Sequence, residues 1–198
     1  MKLILNLKTY PGTYGTDLAK MLDDLPELNN LVVCPQHTDL RRVADSHSAY
    51  AQHISTDGPG RNTGTNTAEA VAETGADGTL INHSEHRLED QEVEKAVRRA
   101  NEVGLETVVC AQSPAEIEQY SGLKVDAVAL EIPELIAGER SISDTEPEVL
   151  QESVSRSCAP VLAGAGISTE EDIRKAIGLG TDGVLVASAV AKADDPTR

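Results

Sequence analysis

Short apolar runs recur along the chain, and their pattern predicts its fold. Most of them are continuous and do not alternate with polar positions, which is typical of strands that are covered on both faces of a sheet. The pattern predicts eight strands, at KLILNL (2–7), LVVC (31–34), SAYAQH (48–53), GTLIN (78–82), ETVVC (106–110), VDAVAL (125–130), PVLAG (160–164) and GVLVA (183–187).

The segments between these runs have helical character. In residues 87–104 the apolar positions fall on one helical face, and Gly104 predicts the end of that helix. A second helix is predicted over 168–180, where Ser168 and Glu171 have the spacing of a capping box. Strand and helix therefore alternate along the chain.

This alternation predicts an α/β fold with a parallel sheet, and eight strands favour closure into a (βα)8 barrel. No change of composition divides residues 1–198, so we expect a single domain. An open doubly wound sheet is the alternative, but its usual G-x-G-x-x-G is missing from NLKTYPGTYG (6–15). Asp195 and Pro196 resemble a helix start just before Arg198, so we expect either a last outer helix that is lacking or truncated, or a longer natural chain.

Charge restricts the partners of the protein. The chain has 33 acidic and 17 basic side chains and a formal net charge of −16, so we expect neither nucleic acid nor a membrane as a partner. An anionic ligand would need local positive charge against this background. Four Tyr are the only aromatic residues, and together with the abundant acid they predict adaptation to high salt. An acidic protein of a low-salt organism is the alternative.

The cysteines indicate a reducing compartment. Cys34, Cys110 and Cys158 are odd in number, far apart and without a C-x-x-C pair, so we expect neither a disulfide framework nor a zinc site. MKLILNL is too short and too polar for a signal peptide, and no run approaches the ~20 apolar residues of a membrane span. We therefore expect a soluble, cytoplasmic protein.

Polar and small residues follow the predicted strands at the end where a barrel carries its function. Those that can do chemistry are Asn6 and Lys8, His83, Ser84 and Glu85, and Glu131. The last two strands lead into GAGIST (164–169) and into Ala187 and Ser188, where bare backbone N–H groups could bind a phosphate. A tight β-to-α turn is the other interpretation of the glycines.

These residues carry a resemblance to the triosephosphate isomerase family, in its shorter archaeal form, over nearly the whole chain. The matching motifs are N-x-K at Asn6–Lys8, NHSEHR at 82–87, E-x-PELI at 131–136, GAGIST at 164–169 and LVAS at 185–188. The resemblance implies a TIM barrel and an isomerase of glycolysis and gluconeogenesis that interconverts glyceraldehyde 3-phosphate and dihydroxyacetone phosphate without a cofactor. Another phosphate-binding barrel enzyme, or a barrel that binds triose phosphate without turnover, are the alternatives.

The resemblance also implies roles for individual residues. His83 would polarise the substrate carbonyl, Glu131 would be the base, and Lys8 would supply positive charge. Glu85 would pair with Lys8, Ser84 would lie behind the catalytic groups, and a helix beginning near Ser84 would keep His83 neutral through its dipole. The residues that would contact the substrate are Asn6, Leu7, Lys8, Ile136, Ala137, Gly166, Ala187 and Ser188.

Other residues are assigned from the same resemblance. Residues 132–138 would form a lid, in which Ile132 and Ala137 depart from the usual Pro and Gly of archaeal relatives. The loop with Thr63, Gly64 and Thr65 would reach a neighbouring subunit, which implies a homo-oligomer, with a tetramer favoured over a dimer. From the residues themselves, Cys110 is interpreted as a packed small apolar side chain. His37, His47 and His53 lack ligand spacing, so no metal site is expected.

Overall fold

Eight parallel strands close into a barrel in the structure, a computed structural model that describes residues 1–26, 28–132 and 141–193. Each strand pairs with the next in the chain, and the last pairs with the first. The strands are β1 (Lys2–Asn6), β2 (Leu31–Cys34), β3 (Ser48–Ala51), β4 (Gly78–Ile81), β5 (Glu106–Ala111), β6 (Ala127–Leu130), β7 (Val161–Ala163) and β8 (Gly183–Val186). The predicted barrel is therefore confirmed, and the open sheet is wrong.

Helices follow the strands on the outside of the barrel. The main ones are α1 (Gly15–Asp24), α2 (Leu40–Ala44), α3 (Ala68–Ala72), α4 (Asp90–Glu102), α5 (Pro114–Ser121), α6 (Ile142–Thr145), α7 (Pro147–Arg156), α8 (Glu170–Gly178) and α9 (Ser188–Ala191). A 3-10 turn, His37–Asp39, precedes α2. Within the described ranges, none of these helices is long and apolar enough to cross a membrane.

The capping of α8 differs from the prediction. Its capping box is formed by Thr169 and Asp172, one residue later than the predicted pair Ser168 and Glu171. Asp172 accepts hydrogen bonds from the N–H groups of both Ser168 and Thr169, so its carboxylate caps the helix better than an exposed Glu could. The helix start predicted at Asp195 lies outside the described residues.

Two apolar layers explain why the strands are continuous apolar runs. One layer fills the inside of the barrel and consists of Ile4, Val32, Cys34, Tyr50, Leu80, Val108, Cys110, Ala127, Ala129, Leu162 and Leu185. The other lies between the sheet and the helices, and includes Leu5, Val33 and Ile81. Because successive side chains of a strand point to opposite faces, its buried apolar residues divide between the two layers.

The N-terminal end of the barrel repeats one arrangement at three strands. Asp77, Asp126 and Asp182 precede β4, β6 and β8, and we call them the aspartate clamps. Each carboxylate accepts the N–H of a residue in the neighbouring strand, and each Asp N–H donates to the carbonyl of that same residue. The partners are Ala49 (3.2 and 2.8 Å), Thr107 (2.8 and 3.1 Å) and Val161 (3.0 and 2.8 Å). The clamps hold neighbouring strands in register at this end.

Candidate active site

Three of the predicted residues meet at the C-terminal end of the barrel. Lys8 follows β1, His83 follows β4 and Glu131 follows β6. All three line one cavity, together with residues that follow β7 and β8. The predicted phosphate residues Gly166, Ala187 and Ser188 line the same cavity. Residues that are far apart in the chain therefore share a single site.

The imidazole of His83 is held from both of its nitrogens. The backbone N–H of Glu85 donates to Nδ1 at 3.1 Å, and Nε2 lies 3.0 Å from Oε1 of Glu131. A nitrogen that accepts a hydrogen bond cannot carry a proton, so this geometry corresponds to the neutral imidazole with its proton on Nε2. Nε2–H then donates to the carboxylate of Glu131.

The cause of this neutral state differs from the prediction. The helix that was expected to begin near Ser84 begins at Asp90, where Glu89 and Glu92 form a capping box. Residues 84–86 form a turn instead, so no helix dipole starts beside the ring. The single N–H of Glu85, aimed at Nδ1, takes the place of the dipole.

The carboxylate of Glu131 is buried, with 1% of the residue exposed. Its Oε2 accepts the backbone N–H of Ser84 at 3.1 Å, and its own N–H donates to Ala111 O at 2.8 Å. Cys110 is buried in the inner apolar layer, as predicted for a packed side chain, and lies close to this carboxylate. Burial, followed by the nearby carboxylate, raises the pKa of the Cys110 thiol well above its usual value. The thiol therefore faces Glu131 in its neutral form.

Lys8 is held in an unusual backbone conformation. Its φ of 49° lies in the left-handed region, which is costly for a residue with a side chain. Asn6 Oδ1 accepts its N–H at 3.0 Å, and Gln52 Nε2 donates to its carbonyl at 2.9 Å. Its Nζ then reaches Oε1 of Glu85 at 2.8 Å, the pair that the resemblance implies. Gln52 was not predicted as part of the site, because residues 48–53 were interpreted only as a strand.

Two predicted substrate contacts do not line this cavity: Asn6 lines a neighbouring one, and Leu7 lines neither. The side chain of Leu7 is completely buried and packs in the outer apolar layer. Its N–H donates to Cys34 O and its carbonyl accepts from the Thr13 hydroxyl. Leu7 therefore packs the end of β1 with its side chain away from the cavity, and a substrate contact at this position stays a prediction. Ile136 and Ala137, the predicted lid contacts, lie outside the described residues.

The glycine turn after β7 leaves room for the carboxylate. A Cβ added to Gly164 would lie 2.9 Å from Cγ of Glu131 and 3.2 Å from Leu130 O. Gly166 has a φ of 67°, which a residue with a side chain seldom adopts. The first glycine therefore spaces the turn from Glu131, and the second bends the backbone at the cavity wall. Tyr10 lines the same cavity and was not predicted.

A second cavity adjoins the first and is lined by four histidines, one of which is His83. It has a volume of about 370 Å³ and is lined by Lys8, Glu85, His37, His53 and His86, among others. The rings of His53 and His86 stack with their centroids 4.1 Å apart, and His37 Nε2 lies 2.6 Å from His53 O. Burial, and then the two neighbouring imidazoles, lower the pKa of His53 to about 4. This cluster was not predicted, because its members come from separate segments that follow β2, β3 and β4.

A larger opening of about 970 Å³ lies at the other end of the barrel, around Lys2, Tyr50 and Glu106. The Lys2 ammonium donates there to Tyr50 Oη and to Glu106 Oε2, each at 2.7 Å. Most other charged groups on its wall are acidic, including the aspartate clamps. Barrel enzymes carry their chemistry at the C-terminal strand ends. We therefore place the candidate site in the cavity lined by Lys8, His83 and Glu131.

Comparison with known proteins agrees with this geometry. The sequence model for triosephosphate isomerase matches residues 1–198. The chain is 42% identical to a triosephosphate isomerase of Methanobacterium bryantii, over 99% of this chain and 92% of that protein. It is 41% identical to that of Caldivirga maquilingensis (98% and 91% covered) and 38% identical to that of Methanocaldococcus jannaschii (98% and 94% covered). The similarity thus spans nearly the full length of each.

Proposed function

The chain belongs to the triosephosphate isomerase family, and we propose that Lys8, His83 and Glu131 carry out the family's reaction in it. The protein is an aldose–ketose isomerase that interconverts glyceraldehyde 3-phosphate and dihydroxyacetone phosphate, a reaction that needs no cofactor. The reaction moves one proton between adjacent carbons and passes through a cis-enediolate. The chain must therefore supply a base, a group that serves both substrate oxygens, and positive charge.

Glu131 is the base in this proposal. It removes a proton from the carbon beside the substrate carbonyl and returns it to the neighbouring carbon. The His83 Nε2–H and the Ser84 N–H hold its two oxygens, so the carboxylate is oriented before substrate binds. Burial leaves little water to compete for the carboxylate during transfer.

His83 serves the substrate oxygens. Because Nδ1 already accepts the Glu85 N–H, the imidazole starts with one proton, on Nε2. That N–H can polarise the carbonyl and pass its proton to the developing enediolate oxygen, then take a proton back from the other oxygen. This pair of contacts at His83 is the observation that carries the assignment.

Lys8 and the small residues bind the charged substrate. In a chain of net charge −16, the Lys8 ammonium is the local cation for the phosphate and the enediolate. Gly166, Ala187 and Ser188 line the same cavity and can approach a phosphate with backbone N–H groups. Asn6 supports the strained backbone of Lys8. Ile136 and Ala137 remain proposed lid contacts, assigned from the resemblance alone.

The isomerisation of glyceraldehyde 3-phosphate tests this proposal. We expect Glu131→Gln to lower kcat about 10³-fold, since general-base catalysis is removed while the amide keeps the shape of the side chain. Glu106→Gln, at the opposite end of the barrel, is the matched control and should keep its kcat. Phosphoglycolate, a planar mimic of the enediolate, should bind the unsubstituted chain far more tightly than substrate. A folded chain that binds triose phosphate without turnover would overturn the assignment.

We also propose that the enzyme is a homo-oligomer, a tetramer in preference to a dimer. Thr63, Gly64 and Thr65 are exposed at the tip of the long loop after β3, and the cavity with His53 and His86 is open beside the site. The tip of one subunit could enter this cavity of another. Light scattering coupled to size exclusion, in molar KCl, tests the proposal, and a monomer under these conditions would contradict it.

Two further proposals concern the setting of the enzyme. The net charge of −16 and the scarcity of aromatic residues favour a halophilic protein, so activity and stability should rise from low salt to molar KCl. Loss of activity over the same range would exclude this. The place of the reaction in glycolysis and gluconeogenesis, with three free cysteines, favours the cytoplasm.

A further inference from the structure

Two residues other than glycine have a positive φ in the described part of the chain, and both adjoin the proposed catalytic groups. One is Lys8 itself. The other is Asn82, with a φ of 64°, which immediately precedes His83. Asn tolerates this conformation better than most residues, although Gly would tolerate it at least as well. The backbone alone therefore does not require an Asn here, so its side chain needs an explanation.

The carboxamide of Asn82 joins two elements on either side of His83. Its Nδ2 donates to the Cys110 carbonyl near the end of β5 at 3.0 Å, and its Oδ1 accepts the N–H of Leu88 at 2.9 Å. Only 1% of Asn82 is exposed, so water does not compete for these bonds. One side chain thus fastens the end of β4 to the next strand and closes the turn from 82 to 88.

The closed turn delivers the N–H that sets the state of His83. Within it, His86 N–H donates to His83 O at 2.7 Å, and Glu85 N–H donates to His83 Nδ1. The Leu88 bond to Asn82 holds the far end of this turn. Loss of that bond would free the far end of the turn that carries the Glu85 N–H.

The bond to β5 also sets the distance between the acid–base partners. Glu131 N–H donates to Ala111 O at 2.8 Å, so the base is located by the last residue of β5. Asn82 donates to the carbonyl of Cys110, the residue before Ala111, and so fixes the position of His83. The positions of His83 and Glu131, which follow β4 and β6, are thus both fixed by two adjacent residues of β5, the strand between them.

We propose that Asn82 is a positioning residue that keeps His83 in the neutral form with its proton on Nε2 and in register with Glu131. This inference rests on the proposed roles of His83 and Glu131. Asn82 itself does not line the catalytic cavity described above. Its effect must pass through His83, so it should change the chemical step more than substrate binding.

Asn82→Gly tests the proposal, because Gly keeps the left-handed backbone and removes both side-chain bonds. We expect kcat to fall about 100-fold, as for a catalytic group displaced by about 1 Å, while KM and the inhibition constant of inorganic phosphate stay unchanged. Asn82→Asp, which keeps the acceptor for Leu88 but turns an oxygen toward the Cys110 carbonyl, should also lower kcat. In ¹⁵N-histidine spectra, the Nδ1 and Nε2 signals of His83, assigned with His83→Gln, should lose their fixed tautomer in Asn82→Gly.

The matched control is Asn101→Ala on α4. The Asn101 carboxamide also donates to two backbone carbonyls, of Val97 and Lys124, but lies away from the site. This variant should lose stability and keep kcat. An unchanged kcat in Asn82→Gly, or a parallel loss of phosphate inhibition, would overturn the positioning role. Glu131→Gln in the same assay separates the two proposals: if it is inactive while Asn82→Gly is fully active, only the role of Asn82 fails.

Discussion

The two ends of this barrel are built on different rules. At the N-terminal end, three aspartate clamps repeat the same pair of hydrogen bonds at β4, β6 and β8. At the C-terminal end, Lys8, Asn82 and Glu131 each have their own set of side-chain partners. Repetition suits a part that only has to hold strands in register. Catalysis needs a single arrangement of different groups. The C-terminal end therefore contains two residues other than glycine in the left-handed conformation, Lys8 and Asn82, and the buried carboxylate of Glu131, all of which are costly for stability.

The largest expected difference is between Lys2, which begins β1, and Lys8, which follows it. Lys2 and Lys8 lie at its opposite ends, and each pairs with a glutamate, Glu106 at 2.7 Å and Glu85 at 2.8 Å. Lys8→Met should lower kcat/KM about 10³-fold, because it removes the cation that stabilises the charge of the transition state. Lys2→Met should lose about 1 kcal/mol of stability or less and keep its activity, since its pair is partly exposed. Similar activity losses in both would show that the ends are not functionally distinct.

The next effect comes from the space beside Glu131. In Gly164→Ala the new Cβ would meet Glu131 Cγ at 2.9 Å and push the carboxylate from its place. We expect kcat to fall about 30-fold, with inhibition by inorganic phosphate retained. Gly178→Ala is the control, since a Cβ there meets no atom within 4 Å, and it should leave kcat unchanged and slightly raise the melting temperature. Steady-state kinetics and thermal unfolding measure both, and an unchanged kcat in Gly164→Ala would contradict the spacing role.

Removing the aspartate clamps should affect stability alone. Asp77→Ala, Asp126→Ala and Asp182→Ala each remove one acceptor from a strand N–H, at an expected cost of about 1 kcal/mol in the free energy of unfolding. The clamps lie on different strand pairs, so the losses should add in the triple variant. Denaturant unfolding in molar KCl measures them. A lower kcat in any folded single variant would contradict the expectation that the N-terminal end serves stability alone.

The smallest effect is a pH dependence at the functional end. The folded pKa of His53, about 4, lies below the usual 6.5, because burial and the imidazoles of His86 and His37 oppose its charge. Between about pH 6.5 and pH 4, His53 is therefore protonated in the unfolded chain and neutral in the folded chain. The free energy of unfolding falls as the pH drops through this range. Because the ring is partly exposed, we expect His53 to contribute about 1 kcal/mol or less.

Comparing His53→Gln with the unsubstituted chain isolates this effect from the titration of carboxylates. Melting temperatures measured between pH 7 and pH 5 should depend less steeply on pH in His53→Gln. His47→Gln, at the other end of β3, is the control and should follow the unsubstituted chain. Parallel curves for all three proteins would mean that the histidine cluster does not destabilise the fold in acid.

Much of the architecture could be predicted from the residues because it depends on local periodicity. All eight strands lie where the apolar runs occur, and the parallel closed barrel follows from their alternation with helices. The ends of the elements were less accurate: the capping box of α8 begins at Thr169 and not at Ser168, and α4 begins at Asp90. Several residues can cap one helix, and the fold selects the one whose side chain reaches the N–H groups.

The sequence alone determined the order of the strands, the family, and which polar residues end the strands. The tertiary structure decided how those residues act on one another. That the Glu85 N–H meets Nδ1 of His83, and that Gln52 and Asn82 bind the carbonyls of neighbouring strands, depends on the register around the closed sheet. Register is a property of paired strands and leaves no trace in the periodicity of any one of them. The left-handed backbone of Lys8 and Asn82 exists for the same reason, because contacts from other strands hold it.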